Sequence, residues 1–226
     1  MIDLASALTM LERQGWFSRR SKDVRARLAN IAKLRRFRAG EHLYTIGDRP
    51  NGMFGIIEGR LGLSIPRADG EDYTAHRVGS CYWFGDLALF AKGPRLMSVH
   101  AIDEATAVHL PSTALIKLVK EDSRLYEDFY ELTYQNMELA FRVISNLAIT
   151  SSTKRLADRL LLELANQGND ERRIMVSQSD LSVLTAISLP TIKRILMRFA
   201  ATGVIRRRYG YIQILDPEAL VRLTQR

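Results

Sequence analysis

The sequence predicts an α+β chain in three parts: a β-roll domain over 1–120, a long helix over 121–150, and a helical domain closed by a β-hairpin over 151–226. Three observations carry this reading. Short strand-like runs alternate with glycine-marked turns between about residues 34 and 110. An uninterrupted helical stretch follows, with two apolar stripes. The last third holds two short capped helices and a basic hairpin. A chain of 226 residues, 46% of them apolar, suffices for one or two such cores.

Taken in order, residues 8–33 read as helical in two pieces broken near Gly15. The runs LRRFRAGEHLYTIGD, MFGIIEG, LGLSI, YTAHRVG, SVHAI and TAVHLP come next, punctuated by Gly40, Gly47, Gly52, Gly55, Gly59, Gly70, Gly79 and Gly85. Many short strands at spacings of about ten residues read as an all-β roll or barrel, which can hold one small ligand. Residues 112–119 form a short helix. From about Ser123 to Thr150 neither Gly nor Pro interrupts the chain. One apolar stripe there runs through Leu125, Phe129, Leu132, Leu139 and Val143. The other runs through Tyr126, Tyr130, Met137, Ala140, Ile144 and Leu147. One stripe packs on its own domain and the second asks for another surface, so a dimer with this helix as its seam is expected. The bland alternative is a helix buried in a single core. SSTK at 151–154 reads as a hinge or restart, and RLADRLLLELANQG as an amphipathic helix stopped by Gly168.

From Val176 the signals sharpen. Ser177 and Asp180 are spaced as a capping box, with Gln178 entering the first turn. Ala186-Ile187 make a turn, and Ser188 stands ready to cap a second helix that opens Leu189-Pro190-Thr191. Ile192, Ile195, Leu196 and Phe199 form its inner face. Pro190, Lys193, Arg194 and Met197 form the outer one. Beyond Gly203, VIRRRYGYIQI predicts a hairpin about Tyr209-Gly210. Two short helices with a basic outer face, followed by a basic hairpin, read as a winged helix-turn-helix. Its expected partner is double-stranded DNA. Lys193, Arg206, Arg207 and Arg208 are the candidates for phosphates, and Arg194 for bidentate bonds to guanine in the major groove. Leu189 and Pro190 offer only apolar contact.

Charge agrees with this division. Residues 1–150 hold 20 Lys/Arg and 18 Asp/Glu, a net +2, whereas residues 151–226 hold 13 and 7, a net +6, within a total of +8. Cys81 is the only cysteine, which excludes internal disulfides and a cysteine-ligated iron–sulfur cluster within one chain. No apolar run reaches the roughly 18 residues of a membrane span, and Glu12 and Arg13 interrupt a signal-peptide core, so a cytoplasmic protein without membrane partners is expected. His42, His76, His100 and His109 show no metal spacing, and no nucleophile–base motif marks an enzyme.

The stretches FRAGEHLYTIGDRPNGMFGIIEGRLGLSI, FGDLALFAKGPR and SQSDLSVLTAISLPTIKRILMRF, with the long helix between them, resemble the cyclic-AMP receptor protein / fumarate-nitrate reduction regulator (Crp/Fnr) superfamily over nearly the whole chain. The resemblance implies an N-terminal jelly-roll, a homodimer, transcription control from a near-palindromic DNA site, and RNA polymerase as a further partner. In nucleotide-binding members a Gly-Glu pair opens a short helix beside the cyclic phosphate, and an Arg-Ser or Arg-Thr pair grips it. The matching positions are Gly85, Asp86 and Leu87, then Arg95 and Leu96. A Thr-Ser pair that meets adenine falls at Ala140 and Phe141. Asp86 is a methylene short, and Leu96, Ala140 and Phe141 carry no hydroxyl. The expected effector is therefore a ligand other than cyclic AMP. The alternatives are a vestigial cradle in which Arg95 pairs with Asp86, or a haem or redox sensor using His76 and Cys81.

Overall fold

The computed structural model describes residues 2–67, 70, 72–167 and 172–225, with no side-chain description at 166 and 167. The chain forms two compact units, Met1–Leu139 and Ala140–Arg226.

In the first unit three helices precede the roll: α1 (Leu4–Leu11), α2 (Gly15–Ser18) and α3 (Lys22–Ile31). The two expected helical pieces are thus three. Gly15 adopts φ +79°, and Ser21 supplies an extra start by accepting from the Val24 N–H. Eight strands follow: β1 (Lys33–Phe37), β2 (His42–Tyr44), β3 (Gly52–Glu58), β4 (Leu61–Pro66), β5 (Asp72–Val78), β6 (Trp83–Phe84), β7 (Ser98–Ala101) and β8 (Ala105–Pro111). They form two antiparallel four-stranded sheets, ordered β1-β8-β3-β6 and β2-β7-β4-β5. The pairing of β3 with both β8 and β6, and of β4 with both β7 and β5, gives the long-range return connections of a jelly-roll. β6 spans two residues, too short for an alternating pattern to show in sequence.

Between β6 and β7 lies the short helix α4 (Asp86–Phe90). After β8 come α5 (Ser112–Glu121) and the long α6 (Leu125–Ala148). Leu125, Phe129 and Leu132 are buried in a core shared with Trp16, Phe17, Trp83 and Leu115. Trp16 joins the start of α6 to this core: its ring stacks on Phe129, and its indole N–H donates to the Asp128 carbonyl at 2.7 Å. Arg20 adds ion pairs to Asp128 and Glu131. A second cluster, built on Phe54, Ile56, Leu61, Phe84 and Val99, fills the roll between the sheets.

The second unit carries α7 (Ser152–Gln167), β9 (Arg173–Ile174), α8 (Gln178–Thr185), α9 (Leu189–Ala201), β10 (Ile205–Arg208), β11 (Tyr211–Ile214) and α10 (Pro217–Gln225). A helix does restart after 151. Gly168, the expected helix stop, lies outside the described residues. Leu156, Leu160, Leu181, Ile192, Leu196, Phe199, Ile212 and Leu220 form one core under the helices and the sheet. That sheet is ordered β10-β11-β9, so the hairpin gains a third strand. Among the described residues no helix is long and apolar enough to cross a membrane.

Candidate functional site

The helix-turn-helix is assembled by the caps read from sequence. Ser177 and Asp180 form the reciprocal capping box: the Asp180 N–H donates to Ser177 Oγ at 3.0 Å, and the Ser177 N–H to Asp180 Oδ2 at 2.9 Å. α8 ends at Ala186, which turns with φ +50°. Ser182 Oγ donates to the Ile187 carbonyl at 2.6 Å, closing that turn. Ser188 stands at the N-cap of α9, but its hydroxyl does not bond the backbone. It donates to Thr191 Oγ1 at 3.0 Å instead. Pro190 explains part of this, because it removes one of the two N–H groups that a capping side chain reaches.

α9 buries Ile192, Ile195, Leu196 and Phe199 and exposes Pro190, Lys193, Arg194 and Met197. Ser177 and Ser188 are exposed; Gln178, Leu189 and Thr191 are half-buried. Arg206, Arg207 and Arg208 are all exposed on β10, in register with Gln213, Ile212 and Tyr211. Side chains alternate across a strand, so Arg206 and Arg208 share one face and Arg207 takes the other. β9 brings charge that the sequence reading did not assign. Arg172 is exposed with φ +50°, and the Arg173 guanidinium lies 5.1 Å from the Tyr211 ring centroid. The result is a surface of cationic side chains on a helix and an adjoining sheet, the donor set that phosphates and guanine edges accept.

The first unit places Gly85, Asp86, Leu87, Arg95 and Leu96 around the start of α4. Gly85 has φ +99°, and a Cβ there would come within 2.9 Å of Arg95 Nη1 and 3.0 Å of the Gly52 carbonyl. Only glycine fits this approach. Asp86 and Arg95 are 1% and 2% exposed, yet they do not pair with each other. Arg95 Nη1 donates to the Gly85 carbonyl at 2.9 Å, and Nη2 to the Gly52 carbonyl at 2.7 Å and Asn51 Oδ1 at 3.0 Å. Its guanidinium carbon lies 4.0 Å from the Tyr44 ring centroid, a cation–π contact. Nε is buried without a partner. Asp86 accepts from Thr133 Oγ1 and, at 3.1 Å, from Asn136 Nδ2, both on α6. Burial pushes the Asp86 carboxyl up, against the hydrogen bonds from Thr133 and Asn136, and pushes the Arg95 guanidinium down.

The Arg95–Asp86 pair of the vestigial-cradle alternative is therefore absent, because each group is engaged by a different neighbour. Tyr44, Asn51, Thr133 and Asn136 went unread in the sequence. Thr133 and Asn136 left one usable signal, two polar residues three apart on a helix whose apolar stripes flank them. Leu96 is 61% exposed, and Leu87 is also exposed. Ala140 is half-buried and Phe141 is 62% exposed, both in the second unit.

His76 is buried on β5, and Cys81 is half-buried at φ +67° in the turn before β6. Burial pushes the Cys81 thiol up, away from a reactive thiolate. Among the described residues no three His, Cys, Asp or Glu side chains cluster as metal ligands.

Along α6 the exposed apolar side chains are Tyr126, Tyr130, Tyr134, Met137, Phe141 and Ile144, with Ala140 and Leu147 half-buried at the margin. From Tyr130 the steps are four, three, four and three, the heptad spacing of a coiled-coil seam. Tyr134, at 66% exposure, and Phe141 belong to this stripe although the sequence reading left them out of it.

The cyclic nucleotide-binding domain model matches residues 34–122, and the Crp-like helix-turn-helix domain model matches residues 154–223. The chain belongs to the Crp/Fnr superfamily. Among relatives, it is 25% identical over 191 residues to the CRP-like cAMP-activated global transcriptional regulator of Mycobacterium tuberculosis, covering 82% of this chain and 85% of the relative. It is 24% identical over 180 residues to the cAMP-activated global transcriptional regulator Vfr of Pseudomonas aeruginosa, covering 76% and 84%. The fold is that of FixK2 from Bradyrhizobium japonicum, with a TM-score of 0.75 at 17% identity over 85% of this chain and 97% of that one. These Crp/Fnr relatives are transcription regulators rather than enzymes, and Crp-type helix-turn-helix regulators bind DNA and act as dimers.

Proposed function

We propose that this Crp/Fnr protein is a homodimeric, sequence-specific DNA-binding transcription regulator whose β-roll does not take cyclic AMP as its effector. The observation that carries the DNA reading is the split of α9 into a buried apolar face and an exposed face bearing Lys193 and Arg194, beside the exposed Arg206, Arg207 and Arg208. In this reading α9 enters the major groove, Arg194 reads guanine, and Lys193 with the wing arginines meets phosphates. Ser177, Gln178, Ser188, Leu189, Pro190 and Thr191 line the approach. The α6 stripe packs against its twin and sets two recognition helices about one helical turn of DNA apart. Residues 1–120 then form the sensing part, 121–150 the dimer helix and 151–226 the DNA-binding part. RNA polymerase is the onward partner, as expected of a transcription regulator.

Cyclic AMP is disfavoured by the occupied cradle. Asp86 is 1% exposed and already held by two α6 side chains, and Arg95, 2% exposed, makes three Nη hydrogen bonds to the protein. The same occupancy favours a second reading, in which the cradle is a structural clasp and the regulator works without an effector. Titration of the full chain with duplex DNA at two salt concentrations, with and without cyclic AMP, tests both. Salt-sensitive binding indifferent to cyclic AMP is expected. Absence of duplex binding sinks the DNA reading, and tighter binding with cyclic AMP sinks the effector reading.

A further inference from the structure

The wing ends in a side chain that α9 does not account for. Tyr209 and Gly210 form the two-residue loop between β10 and β11, closed by the pairing of Arg208 with Tyr211. Gly210 has φ +80°, the positive φ required at the second loop position of a type II turn. That geometry holds Tyr209 at the tip. Its relative exposure is 104%, as open as in a free peptide. Among the described residues no hydrogen bond or ring contact reaches it. The other exposed aromatic side chains, Tyr126, Tyr130, Tyr134 and Phe141, all lie on α6. Those four belong to the α6 stripe of the proposed dimer seam; Tyr209 does not.

Its surroundings indicate what would cover it. The tip directly follows three exposed arginines, and exposed Arg172 directly precedes β9, the far strand of the same sheet. An anionic surface complements this sheet, and the wing continues the cationic surface begun by α9. We propose that Tyr209 enters the minor groove beside the major-groove site of α9 and reads it as A·T against G·C. Its hydroxyl can donate to adenine N3 or thymine O2, whereas the guanine N2 amino group projects into the same space. Its ring packs on deoxyribose, and the arginines hold the tip at the phosphates. This inference rests on the DNA-binding reading.

A duplex selected from a random pool by the full chain supplies the half-sites, and its flanks are then changed to A·T, G·C or inosine·C pairs. Inosine·C presents the major groove of G·C without the minor-groove amino group. The wild-type chain should bind A·T and inosine·C flanks alike and G·C flanks roughly three- to tenfold more weakly. Tyr209→Ala should erase that difference with the salt slope unchanged, and Arg194→Ala should keep it. Indifference of the wild type to the flank overturns the inference, as does inosine·C behaving as G·C, or discrimination surviving in Tyr209→Ala. Failure to bind any duplex at low salt overturns the DNA reading with it, whereas binding without flank discrimination overturns the inference alone.

Discussion

Asn136 of α6 donates to Oδ1 of the buried Asp86 at the start of α4, at 3.1 Å, in a partly buried contact completed by Thr133. The buried Asp86 carboxyl is thus committed to the long helix. In this arrangement Asp86 and Arg95 are cross-links of the first unit, tying α4 to α6 and to the start of β3.

The raised Asp86 carboxyl makes stability depend on pH. Burial disfavours its charged form, so the folded state holds the proton to higher pH than the unfolded chain does. The contribution is fully present below the unfolded pKa, near 3.8, and is lost as pH rises through the folded value. Asp86→Asn keeps a carbonyl acceptor and cannot ionise. The difference in unfolding free energy between wild type and variant should shift toward the variant as pH rises from about 4. Both tryptophans, Trp16 and Trp83, lie in the first unit, so their fluorescence reads this unit alone.

Arg95→Met should lower the unfolding midpoint of the same unit. It strands the half-buried Gly85 and the buried Gly52 carbonyls and loses the contact with Tyr44, a loss of about 3 kcal/mol. Cyclic AMP should move the midpoint of neither protein. A rise in the wild-type midpoint with nucleotide concentration would show binding to the folded state and defeat this reading.

Tyr134→Lys combined with Phe141→Glu should convert the dimer to monomer in sedimentation equilibrium. Each replaces an exposed apolar side chain of the α6 stripe with a charge that the seam must desolvate. Specific DNA affinity should fall with it, because two tethered half-sites become two independent ones. Ile116→Glu, on the exposed face of α5, should leave the mass unchanged.

Arg194→Ala should relax base preference at one position, a loss of about 1–3 kcal/mol on the preferred site. Arg207→Ala should weaken all duplexes alike and reduce the salt slope by about one. Equal losses across all sequences for both variants would remove the assignment of Arg194 to a base.

Local signals read well where the chemistry is local. The capping box of Ser177 and Asp180, the turn at Ala186, the buried face of α9 and the hairpin at Tyr209-Gly210 all depend on residues within a few positions of one another. The jelly-roll was legible as a class because glycine spacing marks strand ends, but β6 escaped for lack of length. The exposed stripe of α6 was half legible. An apolar stripe was evident, yet Tyr134 and Phe141 lie on it only because Leu125, Phe129 and Leu132 turn into the core and set the rotation of α6.

The sequence by itself determined the kind of protein: strand periodicity, caps and a charge-rich last third are encoded in residues close together along the chain. What only the tertiary structure decided is the state of the cradle. Gly85, Asp86 and Arg95 look alike in a string of letters whether they face a ligand or each other. Asn51 lies 44 positions from Arg95, and Asn136 lies 50 from Asp86. Contacts at that separation arise only once β3, α4 and α6 have packed, and packing gave these two buried charges protein partners.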